Sequence, residues 1–197
     1  YYSLKSINYL MERNGLTVID ASTNFANGGS LRVLVTHKEN NKSKSKRYEE
    51  ILAEEEKCNL EQVNTYVDYR QKINEIIEKT KKFIMNELKN SQLVIGLGAS
   101  TKGNVLLQIC GIDKNLLPFI SDINKDKIGL RTLGTDIEII SEEKAREINP
   151  SAMLVIPWNF KEEILSREKN YIQNGGKMLF LMPSPYYIDK FGEHKIQ

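Results

Sequence analysis

The second half of the chain alternates short apolar runs with longer amphipathic stretches. The runs lack the polar alternation of a half-exposed strand, which is typical of strands buried on both faces. They occupy residues 93–97, 117–121, 137–140, 152–156 and 177–181. A helical pattern over residues 160–174 ends at Gly175 and Gly176. Because strands alternate with helices, the pattern predicts an α/β fold: a Rossmann-like domain with a parallel, doubly wound sheet.

The beginning of the chain has a different pattern. Leu4, Ile7, Leu10 and Met11 form one apolar stripe of a helix, which ends at the Asn14-Gly15 pair. Residues 16–20 and 30–37 then read as two strands that pair as a hairpin across a glycine-containing turn. A two-stranded hairpin is marginal alone. We therefore expect it to complete a sheet whose other strands are not in this sequence.

A polar, basic stretch separates these two regions. Residues 39–47, with the sequence ENNKSKSKR, have the composition of a solvated linker, although a basic patch that binds phosphate is the open alternative. From Tyr48 to about Asn90 the pattern is helical, with one apolar face that packs against a core or forms a dimer seam. The predicted organisation is residues 1–38, a linker at 39–47, and a domain at 48–197.

Composition narrows the function classes. Apolar residues make up 40% and charged residues 27% of the 197-residue chain, and the net charge of +2 is too small to indicate nucleic acid. Cys58 and Cys110 lack the spacing of a disulfide framework or a metal site. No apolar run approaches the length of a membrane helix. We expect a cytoplasmic protein with no metal site, no membrane contact and no nucleic-acid partner.

A glycine-rich loop follows the run at 93–97. Gly98, Ser100, Thr101, Lys102, Gly103 and Asn104 stand between this strand and a helix. Helix N–H groups, hydroxyls and an ammonium group there can hold phosphate. The loop is not a Walker A motif, because Asn104 and Val105 replace the required Lys and Ser/Thr, and Thr101 occupies the third glycine position of G-x-G-x-x-G. The alternative is that the glycines only permit a tight turn.

Two further candidates lie where predicted strands end. Asp122 follows the run at 117–121, where a Rossmann fold places an acid against a ribose hydroxyl, but it can also cap a turn. Trp158 can stack on a ring or serve as a packing residue. Asn159 can bind a ligand or cap the following helix.

Several separated motifs span nearly the whole chain. They are the 98–104 loop, residues 122–129 with Asn124 and Lys127, Gly134-Thr135, residues 158–164, and Gly175-Gly176-Lys177. Together they resemble the C-methyltransferases of deoxysugar biosynthesis. The first residues and the Gly28–Val33 segment look like the end of that family's methyltransferase domain. Leu133, Asp136 and Glu138 depart from the family pattern, where Pro, His and Pro are expected.

The resemblance implies methyl transfer from S-adenosylmethionine to a carbon beside the ketone of a nucleotide-linked 4-keto deoxysugar. It implies that the loop binds the diphosphate of the nucleotide sugar and that Lys127, Arg131, Trp158 and Asn159 surround the nucleotide or sugar. The catalytic Tyr-x-Glu-His stretch, the cofactor loop and a zinc domain would all precede Tyr1. We therefore expect no catalytic residue and no turnover in this chain alone.

Two other hypotheses stay open. A non-catalytic Rossmann module would bind NAD or CoA and regulate an attached partner, and a purely structural domain would have a packed, obstructed loop. The histidines, His37 and His194, favour neither hypothesis, because one closes a predicted strand and the other lies in a polar tail.

Overall fold

The computed structural model describes residues 2–196 and contains two compact units, Tyr1–Gln71 and Lys72–Gln197. The first unit contains helix α1 (Leu4–Glu12), strands β1 (Leu16–Asn24) and β2 (Ser30–His37), and helix α2 (Lys46–Lys57). Helix α3 (Val63–Lys89) has residues in both units.

The first unit is organised around the predicted hairpin. Strands β1 and β2 pair antiparallel from Leu16 opposite His37 to Asn24 opposite Ser30, which confirms the pairing and extends the first strand beyond residue 20. A small core joins the hairpin to both helices. Its buried members are Leu4, Val18, Ala21 and Tyr48. The helix-and-hairpin part of the predicted fold is therefore confirmed.

The predicted single helix from Tyr48 to about Asn90 is wrong, because the structure has two helices there. Helix α2 ends at Lys57 with Cys58 as its C-cap, and Asn59 has a left-handed backbone with φ of 49°. The Thr65 hydroxyl donates to the Asn59 carbonyl at 2.8 Å, which stabilises the turn before α3. Asn tolerates this backbone better than most residues, so it supplies the break that the helical periodicity did not reveal. The assignment of 39–47 as a domain linker stays a prediction.

The second unit is built on a seven-stranded sheet. Its strands are β3 (Val94–Leu97), β4 (Phe119–Asp122), β5 (Glu138–Ser141), β6 (Ala152–Val155), β7 (Lys177–Phe180), β8 (Tyr186–Asp189) and β9 (Gly192–Lys195). They lie in the order β5-β4-β3-β6-β7-β8-β9, and the first five are parallel. Each predicted strand is present within two residues of its expected bounds. The sheet confirms the predicted Rossmann-like α/β fold.

Four helices connect these strands: α4 (Thr101–Cys110), α5 (Glu142–Ile148), α6 (Lys161–Arg167) and α7 (Lys169–Gln173). The predicted helix over residues 160–174 is thus interrupted at Glu168, whose buried carboxylate accepts from Arg146 at 2.7 Å. The sheet buries both faces. One cluster contains Ile120, Leu154 and Leu179, and the other contains Ile95, Met153 and Phe180.

The last two strands form an antiparallel hairpin that the sequence pattern did not predict. Strand β8 pairs with β7 and β9 pairs with β8. His194 is therefore in a strand and not in a polar tail: its Nε2 lies 2.9 Å from Asp189 Oδ1, and its ring stacks on Tyr187 with centroids 4.8 Å apart. This histidine has a structural role at the edge of the sheet.

Within residues 2–196, no helix combines the length and apolar character needed to cross a lipid bilayer.

Candidate functional site

The strand order creates a switch point between β3 and β6. The chain leaves β3 towards β4 on one side of the sheet, and it leaves β6 towards β7 on the other. In open α/β sheets, ligands bind in the crevice outside the carboxyl ends of the two strands at such a point. Gly98 follows β3 and Pro157 follows β6, so the glycine-rich loop lies at this crevice.

The two loop glycines are required by close packing. Gly98 has a φ of +87°, and a Cβ atom there would lie 2.6 Å from Pro157 Cδ. A Cβ atom on Gly103 would lie 2.3 Å from Ile156 Cγ2. The N–H of Gly98 donates to the Ser121 carbonyl at 2.7 Å. Because Gly98 and Gly103 have no side chain, the loop and the start of α4 can pack closely against the residues that follow β6.

Ser100 begins α4 as its N-cap. Its hydroxyl oxygen accepts from the Gly103 N–H at 3.0 Å, and its carbonyl accepts from the Asn104 N–H at 3.1 Å. Thr101 and Lys102 are exposed in the first turn. The first N–H groups of a helix have no intrahelical acceptor and carry partial positive charge, so this turn is suited to an anion.

Asn104 presents an unsatisfied polar atom next to this turn. Its Oδ1 is buried and has no hydrogen-bond partner among the described residues. Most buried polar side-chain atoms have a partner, so an orphaned one calls for an explanation. A hydroxyl or N–H group of a ligand that reaches the first turn of α4 would provide the missing donor.

Asp122 and Lys127 form an ion pair beside the loop. Asp122 ends β4 with only 9% of its side chain exposed, and its Oδ2 lies 3.2 Å from Lys127 Nζ. Its other oxygen accepts from the Asn124 N–H at 2.8 Å. Lys127 Nζ also donates to the Ala99 carbonyl at 2.9 Å, which ties the loop backbone to the end of β4.

Trp158 and Asn159 follow β6 at the same edge of the sheet. Trp158 is half-buried and packs against the core cluster that contains Ile164. Asn159 is exposed within a short 3-10 turn, Trp158–Phe160. Phe160 is the N-cap of α6 and makes no side-chain capping bond. The alternative that Asn159 caps this helix is therefore wrong, and its amide is accessible to solvent.

Arg131 lies at another part of the unit. Its backbone forms an isolated antiparallel β-bridge with Glu138 at the amino end of β5, and its guanidinium donates to the Asp136 carbonyl at 2.9 Å. Two residues after Arg131, the Leu133 carbonyl accepts from the Gln108 side chain at 2.8 Å. Gln108 lies about 10 Å along α4 from the first residue of that helix, so this contact places the Arg131 segment away from the loop. The structure therefore does not bring Arg131 together with the loop.

The departures from the family pattern form their own cluster near Arg131. The Lys114 ammonium donates to the Asp136 carboxylate, and this bond, with the nearby charge of Arg131, holds the pKa of Asp136 below its usual range. Leu133 is exposed, and Glu138 begins β5. Of the three, only Asp136 makes side-chain ion pairs within residues 2–196, with Lys114 and Arg131, and these stabilise the turn before β5.

Among the described residues, two of the clefts lie outside the crevice. One of about 840 Å³ lies in the first unit and is lined by Tyr2, Tyr9, Glu55 and Tyr66 among others. The other, of about 370 Å³, lies at the amino edge of the sheet, where Lys177 Nζ pairs with the buried Glu87 at 2.7 Å. Sequence reasoning singled out neither, because each combines residues from elements far apart in the chain.

Comparison with known proteins identifies the family. The family described as C-methyltransferase C-terminal domain matches residues 25–183. The C-methyltransferase NovU of Streptomyces niveus is 31% identical over 188 residues, which is 95% of this chain and 45% of that protein. The chain thus spans less than half the length of this relative. It belongs to the C-methyltransferase C-terminal domain family.

Proposed function

We propose that this chain is the C-terminal, substrate-holding part of an S-adenosylmethionine-dependent C-methyltransferase that acts on a nucleotide-linked 4-keto deoxysugar. The observation that carries the proposal is the position of the 98–104 loop: in a member of this family, a helix start suited to an anion lies at the switch point of the sheet.

The diphosphate of the nucleotide sugar is the group that fits this loop. The first turn of α4 supplies backbone N–H groups, and Lys102 supplies a positive charge in the same exposed turn. The unpartnered Asn104 Oδ1 supports a ligand donor near this turn, because a hydroxyl of the ligand would satisfy it. Trp158 and Asn159 follow β6 at the same edge of the sheet, so we assign them to contacts with the nucleotide or sugar through the ring and the amide.

The methyl donor fits this chain less well. When bound, S-adenosylmethionine supplies a methyl group from a positively charged sulfonium, and the positive end of α4 beside Lys102 does not suit a cation. We assign its binding, the base that removes the carbon-bound proton and the predicted zinc domain to residues upstream of this chain. The chain on its own should hold substrate and show no turnover.

A nucleotide-sensing module is the second candidate, because Asp122 ends the second strand of a Rossmann-like sheet. Against this candidate, Asp122 is buried and both of its oxygens already accept hydrogen bonds from the chain. A ribose hydroxyl would have to compete for them. Binding of NAD or CoA alone would support this candidate over the first.

Calorimetric titration tests the proposal on wild-type chain and on Lys102→Ala. The ligands are thymidine diphosphate, a thymidine-diphosphate deoxysugar, NAD, CoA and S-adenosylmethionine. Binding of only the first two, weakened about tenfold in Lys102→Ala, is the expected result. Lys169→Ala is the matched control, because it removes one exposed positive charge at α7, away from the crevice. Equal weakening in both variants would contradict a specific phosphate site.

A turnover assay tests the division of labour. The isolated chain and the full-length protein are incubated with methyl-labelled S-adenosylmethionine and the nucleotide-linked 4-keto deoxysugar. Label should appear on the sugar only with the full-length protein, and label transferred by the isolated chain would contradict the substrate-holding role.

A further inference from the structure

The Lys127 ammonium is bonded to groups of the chain itself, at the Ala99 carbonyl and the Asp122 carboxylate. We infer that Lys127 is a positioning residue: its ammonium holds the Ala99 carbonyl and the Asp122 carboxylate, and thereby fixes the backbone of the 98–104 loop before any ligand binds. As far as it concerns phosphate binding, this inference rests on the proposed function.

The segment that carries Lys127 is fixed at both ends. Asp122 Oδ1 accepts from the Asn124 N–H at 2.8 Å, and the Asn124 side chain accepts from the Asp126 N–H at 3.0 Å. The Lys127 N–H donates to the Asn124 carbonyl at 3.1 Å. The ammonium then returns to Asp122 Oδ2 at 3.2 Å. Asp122 thus orders the turn that presents its own partner.

The charge of Lys127 is already compensated. The Asp122 side chain is only 9% exposed, so its carboxylate is largely withdrawn from solvent, while the Lys127 side chain stays 37% exposed. A phosphate group that drew the ammonium away would leave a buried carboxylate without its counter-ion, which is strongly unfavourable. The lysine proposed to contact phosphate is instead Lys102, which is exposed in the first turn of α4.

The contact with Ala99 acts on the loop through a single peptide plane. The Ala99 carbonyl and the Ser100 N–H belong to the same planar peptide unit. The carbonyl accepts from Lys127, while the Ser100 N–H donates to the Gly98 carbonyl at 2.9 Å. Holding this plane sets the direction in which Ser100 caps α4. A loop that is ordered in advance binds its ligand without the entropic cost of ordering it.

Amide hydrogen exchange, measured by NMR on ligand-free protein, tests the inference. The test variant is Lys127→Met with Asp122→Asn, which removes both charges and so leaves no unpaired carboxylate to unfold the unit. The Ser100 and Gly103 amides should exchange about tenfold faster than in wild type. The Gly111 amide, at the other end of α4 and bonded to the Gln108 carbonyl at 3.0 Å, should not change.

A conservative variant and a binding measurement complete the test. Lys127→Arg, made alone in the wild-type chain, keeps a donor cation. It should therefore retain most of the slow amide exchange at Ser100 and Gly103. The charge-free double variant should bind thymidine diphosphate about tenfold more weakly than wild type, with the same salt dependence, whereas Lys102→Ala should reduce the salt dependence.

The outcomes separate this inference from the proposed function. Unchanged exchange together with weakened, less salt-dependent binding would make Lys127 a direct phosphate ligand and overturn the inference. Faster exchange with unchanged affinity would overturn the part of the inference that concerns phosphate binding. If wild type binds no nucleotide, the proposed function fails, while the exchange of Ser100 and Gly103 still decides whether Lys127 positions the loop.

Discussion

Gly103→Ala introduces a methyl group where the start of α4 meets the residue after β6. The added Cβ would lie 2.3 Å from Ile156 Cγ2, closer than carbon atoms approach, and Ile156 is only 1% exposed. Overpacking of this kind costs about 1 to 3 kcal/mol of folding free energy. Because the approach to Ile156 Cγ2 is so short, we expect a cost of about 3 kcal/mol at this site. Alanine recovers about 1 kcal/mol of helix propensity. The expected net loss in the free energy of unfolding is therefore about 2 kcal/mol.

Urea unfolding followed by the fluorescence of Trp158 measures this loss. Trp158 is the single tryptophan of the chain and packs half-buried against the core of the second unit, so its signal reports that unit. With a slope of about 2 kcal/mol per M urea, the midpoint should fall by about 1 M. Val105→Ala, at an exposed position of the same helix, is the control and should change stability by no more than about 0.5 kcal/mol.

A second substitution identifies the clashing atom. Ile156→Ala removes Cγ2, so the double variant with Gly103→Ala should be more stable than the sum of the two single losses by about 2 kcal/mol. Ile156→Val keeps a methyl at this position and should give little relief. Additive losses with Ile156→Ala, or a Gly103→Ala variant that is as stable as wild type, would refute the packing explanation for Gly103.

Two further predictions concern titrating groups. Burial raises the pKa of the Cys110 thiol to about 11, so at pH 8 a thiol reagent should label only the exposed Cys58 in native protein and both cysteines in denaturant; labelling of two thiols in the native state would contradict this burial. The Ser45 hydroxyl and the Arg47 guanidinium hold the pKa of Asp20 below its usual range. A carboxylate whose pKa is lowered on folding contributes stability that is fully present above the unfolded pKa of about 4, and this stability is lost as the pH falls through the lower folded-state pKa. The stability difference between wild type and Asp20→Asn, measured by circular dichroism in urea, should therefore shrink from pH 6 to pH 3, and a difference that does not change with pH would contradict the bonding of Asp20.

The strands of the Rossmann-like sheet could be predicted because their signal is local. Each of the five parallel strands is a short apolar run that is buried on both faces, as at residues 152–155. The C-terminal hairpin was missed because β9 contains Gly192, Glu193 and His194, whose polarity resembles that of a tail. Its formation depends on pairing with β8, which the sequence of β9 does not encode by itself.

The candidate site was only partly predictable, because some of its contacts join residues that are far apart in the chain. Gly98, Ser100 and Gly103 are close in sequence, so the loop and its capping could be recognised from spacing. The partner of Ala99 is 28 residues away, at Lys127, and no local pattern shows that the lysine is bonded to a backbone carbonyl. Arg131 was placed with the ligand by resemblance, whereas in the structure its guanidinium is bonded to Asp136.

The most direct test of a phosphate site in the 98–104 loop is the change of backbone amide chemical shifts when thymidine diphosphate is added to the labelled chain. The site predicts that the largest shifts fall on residues 99–104, with smaller ones at Trp158 and Asn159 across the crevice. Shifts concentrated in the first unit, at the amino edge of the sheet, or nowhere in the chain would contradict a phosphate site at the start of α4.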